Sequence, residues 1–293
     1  MTHVEDELHS QPECWTRAAA RAPEHRAALP AAGERVAIVG CGTSYFMAQS
    51  AAALREGAGQ GETDAFAASE FPRGRAYDRV VALTRSGTTT EVLDLLAELR
   101  GHTRTCAITA DPHTPVMEAA DDLIVLEDAD ERSVVQTRFA TTALTLLRAH
   151  TGLHTDAAVA DARTALAGPL PEDLVERTQF TFLGRGWTVG LANEAALKMR
   201  EASLSWAEAY PAMEYRHGPI SVTGPTTATW MFGEAPEGLA GQVRATGGRW
   251  LAGELDPLAE LVRAQRLAVA VAAARGLDPD HPRHLTRSVV LTP

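Results

Sequence analysis

The sequence predicts an α/β protein made of two parallel-sheet units in tandem, with helices on both faces of each sheet. Two observations predict it. Short apolar runs alternate with helical patterns along the 293 residues, and a strand, a Gly-x-Gly turn and a helix open each half of the chain. Short apolar strands that alternate with amphipathic helices pair in parallel, because each crossover helix covers a face of the sheet. A hydrophobic content of 45% with 22% charged residues supplies a full core for one large domain or two smaller ones.

In chain order, the breaker Pro12 precedes a helical segment that holds Trp15 and an alanine-rich stretch. Four β-rich runs follow, each with a turn and a helical pattern after it: Arg35–Val39, Arg79–Leu83, Cys106–Thr109 and Asp122–Leu126. A long helical stretch, Ser133–His150, closes a first domain over residues 1–152. Residues 153–178, rich in Ala, Asp and Pro, read as a connecting helix and linker. The scheme then restarts in a second, shorter domain over residues 179–293, with strand Gln179–Leu183 and the turn Gly184-Arg185-Gly186-Trp187-Thr188 leading into a helix. Its counterpart in the first half is Val36–Val39 followed by Gly40-Cys41-Gly42-Thr43-Ser44, so the halves read as an internal duplication. Strands at Ala228–Phe232 and Arg249–Leu251, a helix near Leu258–Arg275 and a tail ending at Pro293 complete the second half.

Composition narrows the function. A net charge of −11 without clustered basic residues argues against a nucleic-acid partner, though a local pocket on an acidic chain still accommodates an anionic small molecule. Cys14, Cys41 and Cys106 are widely spaced and odd in number, which gives neither a disulfide framework nor a metal knuckle. No basic-then-apolar leader and no apolar run of about 18 residues is present, so no membrane partner and a cytoplasmic location are expected.

Two loops suit an anion. Cys41, Gly42, Thr43 and Ser44 form a glycine turn at a helix N-terminus, where backbone N–H groups and hydroxyls face outward. The third glycine of a dinucleotide fingerprint is missing, and a Walker loop would need a lysine that the chain has elsewhere. The second loop, Thr84-Arg85-Ser86-Gly87-Thr88-Thr89-Thr90-Glu91, directly follows a strand. Helix caps use a single Ser or Thr side chain, whereas five of the seven residues from 84 to 90 are Ser or Thr. That density predicts a donor cup for a phosphate monoester.

Lys198 is the only lysine among 27 basic residues; the others are arginines. An ammonium is compact and its pKa responds to burial, unlike a guanidinium. On a helix Glu194, Lys198 and Glu201 share one face, giving carboxylate, amine and carboxylate in a row. His217 lies in the turn-rich stretch Met213-Glu214-Tyr215-Arg216-His217-Gly218-Pro219, and histidine is the side-chain type suited to acid–base work near neutral pH. With no His-Glu-x-x-His, no convincing partners for His150/His154 or His281/His284, and no Gly-x-Ser-x-Gly, chemistry without metal or cofactor is expected, with Glu201, Lys198 and His217 as its acids and bases.

Those residues carry a family pattern. The chain resembles the sugar isomerase (SIS) family, and within it the isomerase half of glucosamine-6-phosphate synthase and stand-alone amino-sugar-phosphate isomerases, deaminases and deglycases. The matching segments, in order, include Gln11-Pro12, Gly40-Cys-Gly-Thr-Ser44, Ala68-Ser-Glu-Phe71, Ser86-Gly-Thr-Thr89, Thr137-Arg-Phe139, Glu194-Ala-Ala-Leu-Lys198, Ala207-Glu-Ala-Tyr210, His217-Gly-Pro219 and Asp278-Pro-Asp-His-Pro-Arg283. The resemblance implies two flavodoxin-like units and a homodimer with shared active sites. It makes Ser44, Thr84, Arg85, Ser86 and Thr89 the phosphate and sugar cup, and Glu201 the base that moves a proton between carbons 1 and 2. It makes His217 the ring-opening histidine, often supplied by the partner subunit, and Lys198 the group that orients or relays for the glutamate.

One position departs from the pattern. Where the synthase tail presents a lysine after Pro-Arg-x-Leu, this tail reads Pro282-Arg283-His284-Leu285-Thr286-Arg287-Ser288. Arg287 cannot lose a proton to form a Schiff base, whereas proton transfer through an enediol or enolamine is untouched. The expected function is therefore a metal-free isomerase or deaminase of an amino-sugar 6-phosphate. Elimination of water from an N-acetylamino sugar phosphate is the second outcome of the same carbanion. A non-catalytic sugar-phosphate sensor is the rival from another class, because function follows site residues rather than fold.

Overall fold

Continuous apolar strands need cover on both faces, and the chain supplies a helix after nearly every strand. The computed structural model of the protein describes residues 2–291. The chain runs α1 (His3–His9), α2 (Gln11–Arg21), β1 (Val36–Gly40), α3 (Thr43–Gly57), β2 (Thr63–Ala67), β3 (Arg79–Leu83), α4 (Thr90–Leu99), β4 (Arg104–Thr109), β5 (Asp122–Val125) and α5 (Arg138–His150). It continues with α6 (Asp156–Ala167), β6 (Gln179–Gly184), α7 (Thr188–Ser203), β7 (Trp206–Pro211), β8 (Thr227–Met231), α8 (Leu239–Ala245), β9 (Arg249–Ala252) and α9 (Pro257–Ala274). No helix among the described residues is long and apolar enough to cross a membrane.

The strands form two all-parallel sheets, ordered β2-β1-β3-β4-β5 and β7-β6-β8-β9. Each chain path starts on an inner strand, steps to one edge, then crosses back to the other side. That is the flavodoxin-like order, and it opens a crevice at the carboxyl ends of β1 and β3, and of β6 and β8. The second sheet repeats the first and stops one strand sooner.

Glycine makes both openings possible. A Cβ on Gly40 would lie 2.7 Å from the backbone carbon of Ser44, and one on Gly184 would lie 2.3 Å from the carbonyl oxygen of Thr188. In each half the first turn of the following helix therefore rests directly on the strand end, a contact only glycine permits. The cores are built on the inner strands. Ala37, Val39, Val80, Ala82 and Ala107 pack with Leu95 and Leu96 in the first sheet's unit. Leu183, Met231 and Trp250 pack with Tyr215, Leu239 and Val243 in the second's.

Several expectations shift in the structure. Strands β2 and β7 had no counterpart in the sequence reading. Both flank the opening strand of their sheet as edges, and their side chains are mostly half-exposed, so neither shows a clean apolar run. The helix expected from Ser133 begins only at Arg138, because the buried Glu131 carboxylate accepts N–H bonds from Thr137 (2.6 Å), Arg138 (2.6 Å) and Phe139 (3.2 Å). The division of the chain also differs from boundaries at 152 and 178. One unit holds the first sheet with residues 13–132, 136–156 and 286–291; the other holds the second with residues 2–12, 133–135 and 157–285. Thus α6, read as part of a linker, belongs to the second sheet's unit. There Asp161 accepts the Asp256 N–H at 2.7 Å, and Arg266 donates to the Gly168 carbonyl at 2.8 Å. The tail after Leu285 belongs instead with the first sheet.

Gly40→Ala is expected to lower stability by about 1–3 kcal/mol through overpacking. Urea unfolding checks this, and a wild-type midpoint would contradict the close approach.

Candidate active site

Strand β3 delivers the hydroxyl-rich loop to the carboxyl edge of the first sheet. Its backbone is pinned there: Thr84 N–H donates to the Ile108 carbonyl at 3.0 Å, and the Arg85 carbonyl accepts from Ala110 N–H at 3.1 Å and Thr109 Oγ1 at 3.2 Å. Gly87 takes a left-handed φ of 62°, and a Cβ there would lie 2.0 Å from Thr114 Oγ1. The loop therefore cannot change shape without disturbing the 111–116 turn.

The capping alternative for these hydroxyls finds no cap bond. Thr89 is the N-cap of α4, yet its side chain makes no bond to the helix, and Gly42 leaves α3 without a side-chain cap as well. Thr84 Oγ1 is buried without a hydrogen-bond partner among the described residues, in a residue only 3% exposed. A buried hydroxyl left unsatisfied costs about 1–3 kcal/mol unless something binds it. Thr43, Ser44 and Ser86 are buried in the same unit.

Other parts of the loop are occupied by the tail. Thr88 Oγ1 pairs with Ser288 Oγ at 2.8 Å, Thr90 N–H donates to the Val289 carbonyl at 3.1 Å, and Leu291 N–H donates to Thr90 Oγ1 at 2.9 Å. Arg85, expected among the cup residues, donates through Nη2 to the Arg287 carbonyl at 2.8 Å, with Nη1 3.9 Å from the Glu131 carboxylate. Arg287 bonds in turn to the Glu131 carbonyl and the Asp130 carboxylate. Arg287 and the cup loop thus share a unit, and both arginines hold the tail to it. Glu131, Asp130 and Ser288 were not singled out from the sequence, since pairs separated by more than 150 residues leave no local signal.

Cys41 lies at the glycine turn but packs against the first sheet's apolar core. Burial pushes its thiol up to about 11, with the Glu91 carboxylate adding to the effect, and burial pushes Cys106 up to about 12.

In the other unit, α7 presents the run expected to carry acid–base chemistry. Lys198 is 1% exposed, with Nζ 3.3 Å from Glu194 Oε1 and hydrogen-bonded to Glu201 Oε2. Burial disfavours its charge, but the Glu194 and Glu201 carboxylates outweigh burial and raise its pKa, so it stays an ammonium. Glu194 is fully buried, whereas the Glu201 side chain is 18% exposed and lines a cavity of about 140 Å³ with Asp278, His281 and Arg283. Leu204, also on that cavity, ends α7 in a left-handed conformation with φ 54°. His281 Nδ1 lies 2.8 Å from Asp278, whose carboxylate raises the imidazole pKa. His217 is exposed at the end of the turn Glu214–His217, whose Tyr215 is buried, and does not line this cavity. No three His, Cys, Asp or Glu side chains among the described residues come together as metal ligands.

Residues 31–150 match the SIS domain. Over a longer span, the chain is 28% identical to the glutamine–fructose-6-phosphate aminotransferase (isomerizing) of Xanthomonas campestris, across 88% of this chain and 52% of the relative. The chain therefore spans about half the length of the curated relative it matches. The crystal structure of a glucosamine-6-phosphate deaminase from Thermotoga maritima superposes with a TM-score of 0.81 at 26% identity, covering 99% of this chain and 98% of the other. The C-terminal domain of glucosamine-fructose-6-phosphate aminotransferase from Francisella tularensis shares the fold, with a TM-score of 0.80 at 24% identity over 96% and 98% of the two chains. By their names, these relatives are isomerizing aminotransferases and a deaminase that act on phosphorylated sugars.

Two outcomes follow from the site. Lys198→Met would strand the buried Glu194 carboxylate and is expected to cost about 3–5 kcal/mol, measured by urea unfolding at neutral pH. Iodoacetamide at pH 8 should alkylate Cys41 slowly in the folded protein, because at that pH a thiol with a pKa near 11 is roughly one part in a thousand thiolate. The rate should rise about tenfold per pH unit while the thiolate stays in the minority. An ordinary free-thiol rate at pH 8 would contradict its burial.

Proposed function

We propose that this protein is an isomerase or deaminase of an amino-sugar 6-phosphate. The substrate's phosphate would be held by Ser44, Thr84, Ser86 and Thr89. Glu201 would take the proton from carbon 2 of the opened sugar and return it at carbon 1, a general-base step worth roughly 10²–10⁴-fold. Lys198 would position Glu201, and His217 would open the ring, presented by a second copy of the chain in a homodimer.

The single observation that carries this reading is the buried Glu194–Lys198–Glu201 chain, which ends in one partly exposed carboxylate on a cavity. The buried ammonium holds the Glu201 carboxylate in place at the cavity, while the Glu194 carboxylate balances the buried charge. Lys198 is held as an ammonium, and Arg287 is a guanidinium bonded to Asp130 and Glu131. Neither is suited to an imine with substrate, so the favoured route is an enediol or enolamine free of covalent attachment. The deaminase among the relatives favours loss of nitrogen as one outcome. Elimination of water from the same carbanion gains no support from these relatives.

Glucosamine 6-phosphate in deuterium oxide tests the reading. Ketose or ammonia should form, with deuterium entering at carbon 1 of the product and at carbon 2 of recovered substrate, and Glu201→Gln should abolish the exchange while leaving binding largely intact. Unchanged exchange in the variant would remove Glu201 from its role. Binding without turnover in the wild type would indicate a sensor.

A further inference from the structure

We propose a second anion site, independent of the reading above, in the unit of the second sheet: a cavity of about 330 Å³ between β9, α8 and α9 that takes a small phosphate-bearing ligand. Arg244, Arg249 and Arg263 all line it, and Trp230 and Trp250 form its apolar wall.

The cavity exists because the second sheet ends early. In the first sheet β5 covers the outer side of β4, whereas β9 is the edge of the second sheet and has no strand beyond it. The uncovered edge is lined with charge of one sign. Asp173 is the acidic partner of Arg249 at 3.2 Å, but it also binds Arg177 at 2.9 Å. Glu260 lies 3.3 Å from Arg263, and burial raises the Glu260 pKa, which weakens it as a counter-charge. Arg244 has no acidic group within 4.0 Å among the described residues. Four guanidinium groups therefore face two carboxylates, on a chain whose net charge is −11.

Such a surplus repels itself unless an anion joins it. The guanidinium fork matches phosphate oxygens two at a time, a geometry an ammonium cannot offer. Trp230 and Trp250 are 2% and 7% exposed, and Arg263 lies 5.6 Å from the Trp230 ring centroid, which fixes its plane against the wall. A wall of buried indole lowers the local dielectric and strengthens attraction for the ligand. The volume lies at the lower end of the range for small-molecule sites, about 300–1,000 Å³, so a phosphate has room for an organic substituent.

The test is equilibrium dialysis of the full chain with two probes, inorganic phosphate and glycerol 3-phosphate. It is run on Ser86→Ala/Thr89→Ala protein so that the hydroxyl loop contributes little. Saturable binding of one equivalent should persist in that background and weaken about tenfold or more when Arg244→Ala and Arg249→Ala are added. Tighter binding of glycerol 3-phosphate would identify an organic monoester as the ligand, and equal binding the bare anion; both support the site. Arg244→Gln, at an exposed position without an acidic partner, gives the same direction of change should the double substitution not fold. Absence of saturable binding, or binding indifferent to these arginines, would overturn the proposal.

Discussion

The contact between a strand end and the first turn of the next helix is the constraint on which both units depend. At Gly40 and again at Gly184 the helix begins so close to the strand that no side chain fits between them. That closeness sets where α3 and α7 start and, with 3.6 residues per turn, the phase of every residue along them. Ser44 lies in the first turn of α3 because α3 starts at Thr43, and Lys198 and Glu201 share one face of α7, which starts at Thr188. One steric rule thus positions both the anion loop and the acid–base helix.

Within the first sheet's unit, the hydroxyl loop divides its groups between two tasks. Thr88 and Thr90 are engaged by the tail, while Thr84 Oγ1 stays buried without a partner and Thr89 makes no cap bond. The tail is held by guanidinium groups acting on carbonyl oxygens: Arg85 on Arg287, and Arg287 on Glu131. Glu131 joins this arrangement to the start of α5 by accepting three backbone N–H groups there, so one buried carboxylate serves a helix N-terminus and faces Arg85.

The second unit treats positive charge in two ways. At Lys198 a single ammonium is fully enclosed and matched by two carboxylates on its own helix, an arrangement whose geometry the 3.6-residue period already contains. At the β9 edge, guanidinium groups from different elements gather with too few carboxylates to neutralise them. The first is closed and self-sufficient; the second is open and asks for an anion.

The sequence by itself determined the parallel α/β class, the seven strands other than β2 and β7, the duplication, and the Glu194–Lys198–Glu201 row. All of these are local patterns, read from periods of two or 3.6 residues and from glycine at a turn. The edge strands β2 and β7 escaped because half-exposed strands mix polar and apolar residues. Only the tertiary structure decided that α6 joins the second sheet's unit, that residues 286–291 return to the first, and that Arg85 serves the tail. Only it gathered Arg244, Arg249 and Arg263 around one cavity. Each of those depends on residues far apart in the chain, and the energy of a long-range contact is written in the packing that brings its partners together, not in the spacing of either one.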